Sequence, residues 1–506
     1  MSYNNPMHRP SPRLVLGLLA WGLAVAVGVQ RAERAVHSFD NAADLPPERR
    51  RDDGNNGHAQ IDFGGQWVMG RMVATGHARQ LYDRTVQRPV VREAFPESAE
   101  SPWARRHEPA AGVKPWSDDD PRHDAESMMH WFVGRDSPDG AKAVGGPLYP
   151  PVHGFVMAPL GMLPDPHVAY RVLQVVLFAV VAFIGLGVRR LSDGRIAWPV
   201  AVAFAFFFTG CEAALDLAQN SAVTVLILVW GWVLVKNDRD VAGGVVWGLL
   251  VYKPLWGATF FLVPLMMGRF RFCAAMVLTG AGLAAMTLPV VGVETWRDWL
   301  AVGKEASELY NLNRNWVFLS RDLFGLPRRI LIDTSLPESQ RGRLDATLLG
   351  WALWGFVFTG TAFVFLRHAA RRVPTGPLAG FAFLGAYLCC YRFIYYDAFV
   401  AAFPLAVLFA NPSRLIGPKW WDGLRSVPVL IVAALLLLEN HFSPWQYELI
   451  GTSLNAGVDY PWDTVLLLGL WAWLGVKLSR AKAQGRPSLG FRPESTDYLL
   501  GGEIGC

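Results

Sequence analysis

Long apolar runs separated by short basic linkers dominate the chain between residues 14 and 477. A helix that crosses a membrane needs roughly 20 apolar residues, fewer where it packs among neighbours or lines a cavity. On that measure about twelve segments qualify: 14–30, 167–188, 196–213, 219–235, 241–252, 254–268, 272–291, 346–366, 377–391, 397–410, 427–439 and 463–477. The pattern predicts an all-α polytopic membrane protein, a bundle of about twelve transmembrane helices with large non-cytoplasmic loops. The stretch 241–268 stands apart, because both its flanks are basic and it is broken at Tyr252, Lys253 and Pro254. Proline lacks an N–H and disfavours helix at the residue before it, so this stretch reads as two short helices forming a hairpin.

The linkers fix a topology. With Arg9 and Arg13 in the cytoplasm, the clusters Arg189/Arg190/Arg195, Lys236/Arg239, Arg269/Arg271, Arg367/Arg371/Arg372, Arg414/Lys419/Arg425 and Lys477/Arg480 all fall on the same side. Residues 1–30 then form the cytoplasmic end and first span, which reads as an uncleaved signal anchor since many spans follow. The opposite face receives a loop over 31–165, which holds the segment 61–83 and a hydrophilic insertion over 84–145. The core of spans covers 166–480, with further non-cytoplasmic loops at 292–345 and 440–462. The tail, 481–506, reads as disordered and cytoplasmic.

Composition removes several classes of function. Of 506 residues 52% are hydrophobic and 18% charged, with a mean hydropathy of +0.23, which excludes a soluble protein. The 21 tryptophans suit membrane interfaces. A net charge of +5, spread over linkers, describes topology and not a nucleic-acid partner. Five cysteines without a CxxC pair give no disulfide frame or zinc site, and Asp118–Asp120 reads as solvated loop, so neither a metal nor a cofactor is expected. No phosphate-cradling glycine loop, GxSxG or HExxH occurs, which leaves a nucleotide-hydrolysing pump without support.

Candidate chemistry then lies where polar residues interrupt apolar ones. Asp62 sits among Ile61, Phe63, Trp67, Val68, Met72 and Val73, where a carboxylate loses water and becomes a poised base. The plainer reading is a helix cap or a partner for Arg71. The stretch 148–164, containing Tyr149 and His153, reads as an element dipping into the interface, with His153 a contact for phosphate or sugar or simply structural. Glu212, Asp216, Gln219 and Asn220 lie at a turn between spans and suit hydroxyl recognition in a cavity, or a solvated turn. Lys253 is centred in an apolar stretch, where a cation needs a partner and a lipid phosphate would serve; snorkelling is the alternative. Tyr310, Asn311, Asn313, Arg314, Asn315, Trp316 and Arg321 combine amides and aromatics, which contact sugars, with arginine, which suits phosphate. Arg392, Tyr395, Tyr396 and Asp397 fall between two spans, where an Arg392–Asp397 ion pair is the plain alternative.

An ordered series of these motifs resembles glycosyltransferase family 87, polytopic enzymes of the GT-C type. It comprises Asp62, Phe63, Gly76, Leu81, Tyr82 and Asp83, then Tyr149, Pro150, Pro151, Pro159, Leu160, Leu163 and Pro164, then Gln219 and Asn220, and finally Ala242, Gly243, Gly248, Leu249, Lys253 and Pro254. Residues 14–325 carry most of the likeness. The C-terminal third is similar only in hydropathy: where the family tends to have a Trp-Asp-His-like element, this chain has 391–399, YRFIYYDAF, so no histidine role transfers. The insertion over 84–145 is also unlike a typical member. The resemblance implies a GT-C-like bundle that moves a monosaccharide, mannose first among the candidates, from a polyprenyl-phosphate carrier to a hydroxyl of a lipid or glycan acceptor. Transfer would be inverting, on the non-cytoplasmic face of a bacterial inner membrane, with Asp62 as general base. A phosphate leaving group departs unprotonated if cations steady it, which assigns Lys253, Arg314 and Arg392 to the donor phosphate. Tyr149, His153, Asp216, Gln219, Asn220, Asn311, Asn313, Tyr395, Tyr396 and Asp397 are then expected to contact sugar or acceptor. A secondary transporter or lipid-linked sugar flippase is the rival reading, and it predicts repeated halves with matching broken helices; one clear break, at Lys253, favours the enzyme. A catalytically inactive scaffold with the same fold is a third reading.

Overall fold

The computed structural model describes residues 12–37, 59–83, 85–87, 89–90, 148–312, 314–333, 336, 340–368, 373–411 and 461–483. Among these the chain is helical, and its extended pairing is confined to an antiparallel bridge between Ser320 and Ile394. In chain order the helices are α1 (Pro12–His37), α2 (Ala59–Ala74), α3 (Pro151–Gly161), α4 (Pro166–Leu191), α5 (Trp198–Phe207), α6 (Cys211–Asp216), α7 (Ser221–Lys236) and α8 (Asp240–Gly248). After these come α9 (Pro254–Met266), α10 (Phe270–Leu312), α11 (Arg314–Leu319), α12 (Gly325–Leu331), α13 (Leu344–Arg367), α14 (Pro377–Leu388), α15 (Ala402–Phe409) and α16 (Trp462–Ala483). Tighter 3-10 turns occupy 78–80, 249–252 and 395–401.

Each predicted span among the described residues contains helix, but 196–213 is interrupted at 208–210, 377–391 outruns its helix, and the lengths differ from the expectation of about twelve crossings. Among the described residues four helical stretches are long and apolar enough to cross alone: Val15–Glu33, Pro166–Leu191, Phe270–Lys304 and Leu344–Arg367. Six others, such as Trp198–Phe207 and Pro377–Leu388, have 10–17 residues. The reason is local: prolines open α5, α9 and α14, and a short helix buried among neighbours has no need to reach both interfaces. The predicted span 427–439, most of the insertion 84–145, nearly all of 440–462 and the tail beyond 483 lie outside the described residues. The expected loop 292–345 is largely helix, because α10 continues past a break at Gly292 (φ 77°, ψ 170°) to Leu312, and α11 and α12 follow.

The break at Lys253 falls where Pro254 requires it, with Lys253 itself non-helical (φ −130°, ψ 70°). The two arms do not form a packed hairpin. α8 lies against α7 and α10, whereas α9 turns away onto α14. A cluster of rings fills the space between, including Trp232, Trp247, Phe272 and Phe383, with Trp232 and Phe383 edge to face at 4.7 Å.

Two close approaches position the site. α2 and α3 run backbone to backbone, since a Cβ at Gly70 would collide with the Met157 carbonyl and one at Gly161 with the Gly70–Arg71 backbone. At the start of α6, Gly210 takes a left-handed conformation (φ 76°), and the space a side chain would need is filled by the backbone of Tyr395, Tyr396 and Phe399. That contact presses the turn 395–401 against α6 and α7. The linkers at 190–195, 236–240 and 410–411 meet at the other end of α7, where Lys236 pairs with Asp193 at 2.5 Å and Arg195 reaches Asn411 at 3.2 Å.

Candidate active site

Asp62 lies in the first turn of α2, with Gln66 one turn on, so both side chains leave the same face. The next contributor comes from the end of α6, where Ala218 adopts a left-handed φ of 49°, rare for a residue with a Cβ. This turn delivers Gln219, whose Nε2 donates to Asp62 Oδ1 at 2.6 Å while its Oε1 accepts from the Tyr149 hydroxyl at 2.7 Å. The Tyr149 backbone carbonyl in turn accepts from the Tyr82 hydroxyl at 2.6 Å. Asp62 is thus held in place, and Arg71, the plain alternative partner, instead donates to the Gly161 carbonyl at 3.3 Å.

Behind this row, Gln66 Nε2 donates to the carbonyls of Asp62 and Ala218 at 3.2 and 3.3 Å, which fixes its amide orientation and leaves Oε1 as an acceptor. His153 Nε2 lies 3.1 Å from that oxygen and must therefore be the donor. Burial, reinforced by the charge of Lys253, lowers the His153 pKa to about 3, so the ring is neutral and cannot act as a cation toward phosphate. With its ring 4.3 Å from that of Tyr149 and only 2% exposure, His153 supports the wall and does not line it. Asn220 adds its backbone carbonyl, which accepts from Tyr252 at 3.2 Å, and Thr224 meets the same Tyr252 hydroxyl at 2.7 Å.

Lys253 enters from the helix break. Its ammonium pairs with Asp397 at 2.6 Å, both side chains are about nine-tenths buried, and the Tyr396 ring stands 5.7 Å from the nitrogen. The Trp256 indole also hydrogen-bonds to Asp397. The expected Arg392–Asp397 pair is therefore replaced by one across 144 residues of sequence. Lys253 and Asp397 lie close enough to Asp62 to act on it in opposite senses. Loss of water dominates, however, and raises the Asp62 pKa to about 7, with the Gln219 hydrogen bond and Lys253 pulling it down and Asp397 pushing it up.

The structure brings together Asp62, Tyr149, His153, Gln219, Asn220, Lys253, Tyr396 and Asp397, with Tyr395 next to Tyr396 at 5.6 Å between rings. Asp216 belongs elsewhere: its carbonyl accepts from Tyr170 at 2.5 Å, and its charge acts on Cys211 alongside that of Arg31. Glu212, on the same short helix, pairs with buried Arg31. Arg392 lies over the Tyr391 ring at 4.6 Å, near Arg328 and Asp322. Arg321 is engaged by Asp463 at 3.1 Å. Asn311 and Arg314 lie on helices, but their side chains, like the whole of Asn313, are outside the described residues. The site also holds Gln66, Thr224, Tyr252 and Trp256, which the sequence reading left aside. Gln66 and Thr224 carried one signal, a position four residues after Asp62 and Asn220, on the same helical face.

The sequence model of glycosyltransferase family 87 matches residues 148–391, which include Tyr149, His153, Gln219, Asn220 and Lys253. Over that stretch, just under half of its length, the chain is similar to glycosyltransferase family 87. That family consists of membrane glycosyltransferases, in keeping with the four helices of spanning length among the described residues. No curated protein and no solved structure matches the chain. Asp62 and Asp397 lie outside the matched stretch, and the fold joins them to it.

Proposed function

We propose that the protein transfers a monosaccharide, mannose first among the candidates, from a polyprenyl-phosphate carrier to an acceptor hydroxyl with inversion, and that Asp62 is the general base. The observation that carries this reading is a desolvated carboxylate, aimed by Gln219 and raised to about 7, beside the buried Lys253–Asp397 pair. A base of that strength is matched to near-neutral pH, half of it ionised there. Its proton acceptor oxygen would take the acceptor's hydroxyl proton as the new glycosidic bond forms at the anomeric carbon and the bond to the carrier phosphate breaks. The phosphate leaves as an anion and needs no proton, which fits a site whose nearest histidine is neutral and already hydrogen-bonded. Lys253, Arg392 and Arg314 are the proposed cations for that phosphate, and Tyr149, Asn220, Tyr395 and Tyr396 the proposed sugar or acceptor contacts. The reaction faces the non-cytoplasmic side of a bacterial inner membrane in this reading.

The test is Asp62→Asn in reconstituted membranes supplied with polyprenyl-phospho-mannose. General-base catalysis contributes about 10²–10⁴-fold, so transfer should fall by at least a hundredfold while expression and membrane insertion stay at wild-type level. Wild-type turnover by the Asn variant would remove Asp62 from the mechanism.

A further inference from the structure

Four arginines and two carboxylates gather beside the Ser320–Ile394 bridge: Arg321, Arg328, Arg329 and Arg392 with Asp322 and Asp463. Most of these groups are already engaged. Asp463 holds Arg321 at 3.1 Å and accepts from the Thr464 amide at 2.8 Å. Asp322 Oδ1 accepts from the Gly325 amide at 2.7 Å and so closes the start of α12. Arg329 donates to the carbonyls of Phe318 and, at 2.7 Å, Ser320. Arg392 lies over Tyr391 and is hydrogen-bonded to it.

Arg328 differs. It is 2% exposed, its guanidinium faces the Phe324 ring at 5.6 Å, and its Nη1 donates to nothing. No carboxylate among the described residues pairs with it, and the nearby charge of Arg392 opposes its own. The Ser320 hydroxyl and Asp322 Oδ2 are also buried without hydrogen bonds. A buried guanidinium lacking a counter-ion is costly, and the costs fall when an anion supplies acceptor oxygens. Guanidinium forks match phosphate oxygens, and two arginines that converge favour a group with several such oxygens over a single carboxylate.

We infer that Arg328, with Arg392 at the rim and the Ser320 hydroxyl as a further donor, binds the phosphate group of the lipid carrier. This rests on the polyprenyl-phosphate reading and relocates its phosphate anchor. Lys253 is engaged by Asp397, whereas Arg328 has no acidic partner among the described residues and its Nη1 is buried without a hydrogen bond. Arg392 immediately precedes the pairing at 393–394, which leads into Asp397, so the chain itself runs from the arginine cluster to the Lys253–Asp397 pair. A carrier phosphate anchored at Arg328 would project its sugar along that segment toward Asp62.

The test measures binding of decaprenyl phosphate to the purified full-length protein in detergent, apart from any transfer assay. Saturable binding that millimolar inorganic phosphate displaces is expected for the wild type, with at least tenfold weaker affinity in Arg328→Gln. Unchanged affinity in a folded Arg328→Gln protein overturns the assignment. If that variant does not fold, Arg392→Gln, which alters a half-buried side chain, must weaken binding at least tenfold, and unchanged affinity there overturns it equally. Equal displacement by phosphatidylglycerol vesicles would make the site a general headgroup site and sink the carrier assignment. Asp62→Asn should bind decaprenyl phosphate as the wild type does; if that variant also transfers sugar, the base is wrong while the phosphate anchor stands.

Discussion

At the scale of the residue, Asp62 is governed by three neighbours whose effects have known signs. Burial raises its pKa to about 7, and Asp397 adds to the rise, while the hydrogen bond from Gln219 and the charge of Lys253 oppose it. A base works only when deprotonated, so transfer should climb tenfold per pH unit below about 7 and level off above it. Gln219→Ala removes a donor that favours the charged form, and its acid limb should move to higher pH. Asp397→Asn removes a negative neighbour and leaves Lys253 to act on Asp62 alone, so its limb should move to lower pH. Rates of transfer measured across pH for the three proteins check the signs, and a shift of both variants in the same direction would break the account. The sequence showed Asp62 because a carboxylate interrupts an apolar stripe. It could not show that Asp397 is the partner of Lys253, since the two meet across 144 residues and an arginine stands five positions from Asp397.

At the scale of the element, the base is as well placed as the contact between α2 and α3 allows. Gly70, Gly154 and Gly161 let the two helices touch along their backbones, and α3 rests in turn on α10. A leucine at Gly161 must push α2 away, because its Cβ would overlap the Arg71 amide. Overpacking of this kind costs about 1–3 kcal/mol, and Asp62 would leave the reach of Gln219. Gly161→Leu should therefore melt lower than the wild type and lose at least tenfold in transfer. Gly303→Ala, at a helical position with nothing within 4 Å of the added methyl, should do neither. The element pattern was legible where chemistry forces a break, as at Lys253 before Pro254, and at the Pro150–Pro151 start of α3. Packing partners were not legible. A glycine marks a place where something can approach without saying what, and so α8 and α9 were expected to fold on each other although each found a larger apolar surface elsewhere.

At the scale of the whole molecule, the basic linkers and the site occupy opposite ends of α7. Gln219 and Asn220 precede its first residue, and Lys236 ends it among the 190–195 and 236–240 linkers, a separation of ~24 Å at 1.5 Å per residue. Positive linkers are retained in the cytoplasm, so the site end should face outward. The cysteines make this testable with little background: Cys211, Cys273, Cys389 and Cys390 are buried, and Cys506 can be replaced by serine. Glu294 is 77% exposed on the segment of α10 that carries Trp299, whose indole donates to the Leu148 carbonyl at 3.1 Å, next to Tyr149 of the site. Asn237 is exposed at the other end. In intact cells, Glu294→Cys should react with a membrane-impermeant maleimide, and Asn237→Cys only after the membrane is opened. Labelling in the reverse order would place Asp62 in the cytoplasm, where a soluble nucleotide sugar could reach it and the argument for a lipid-linked donor would lose its footing.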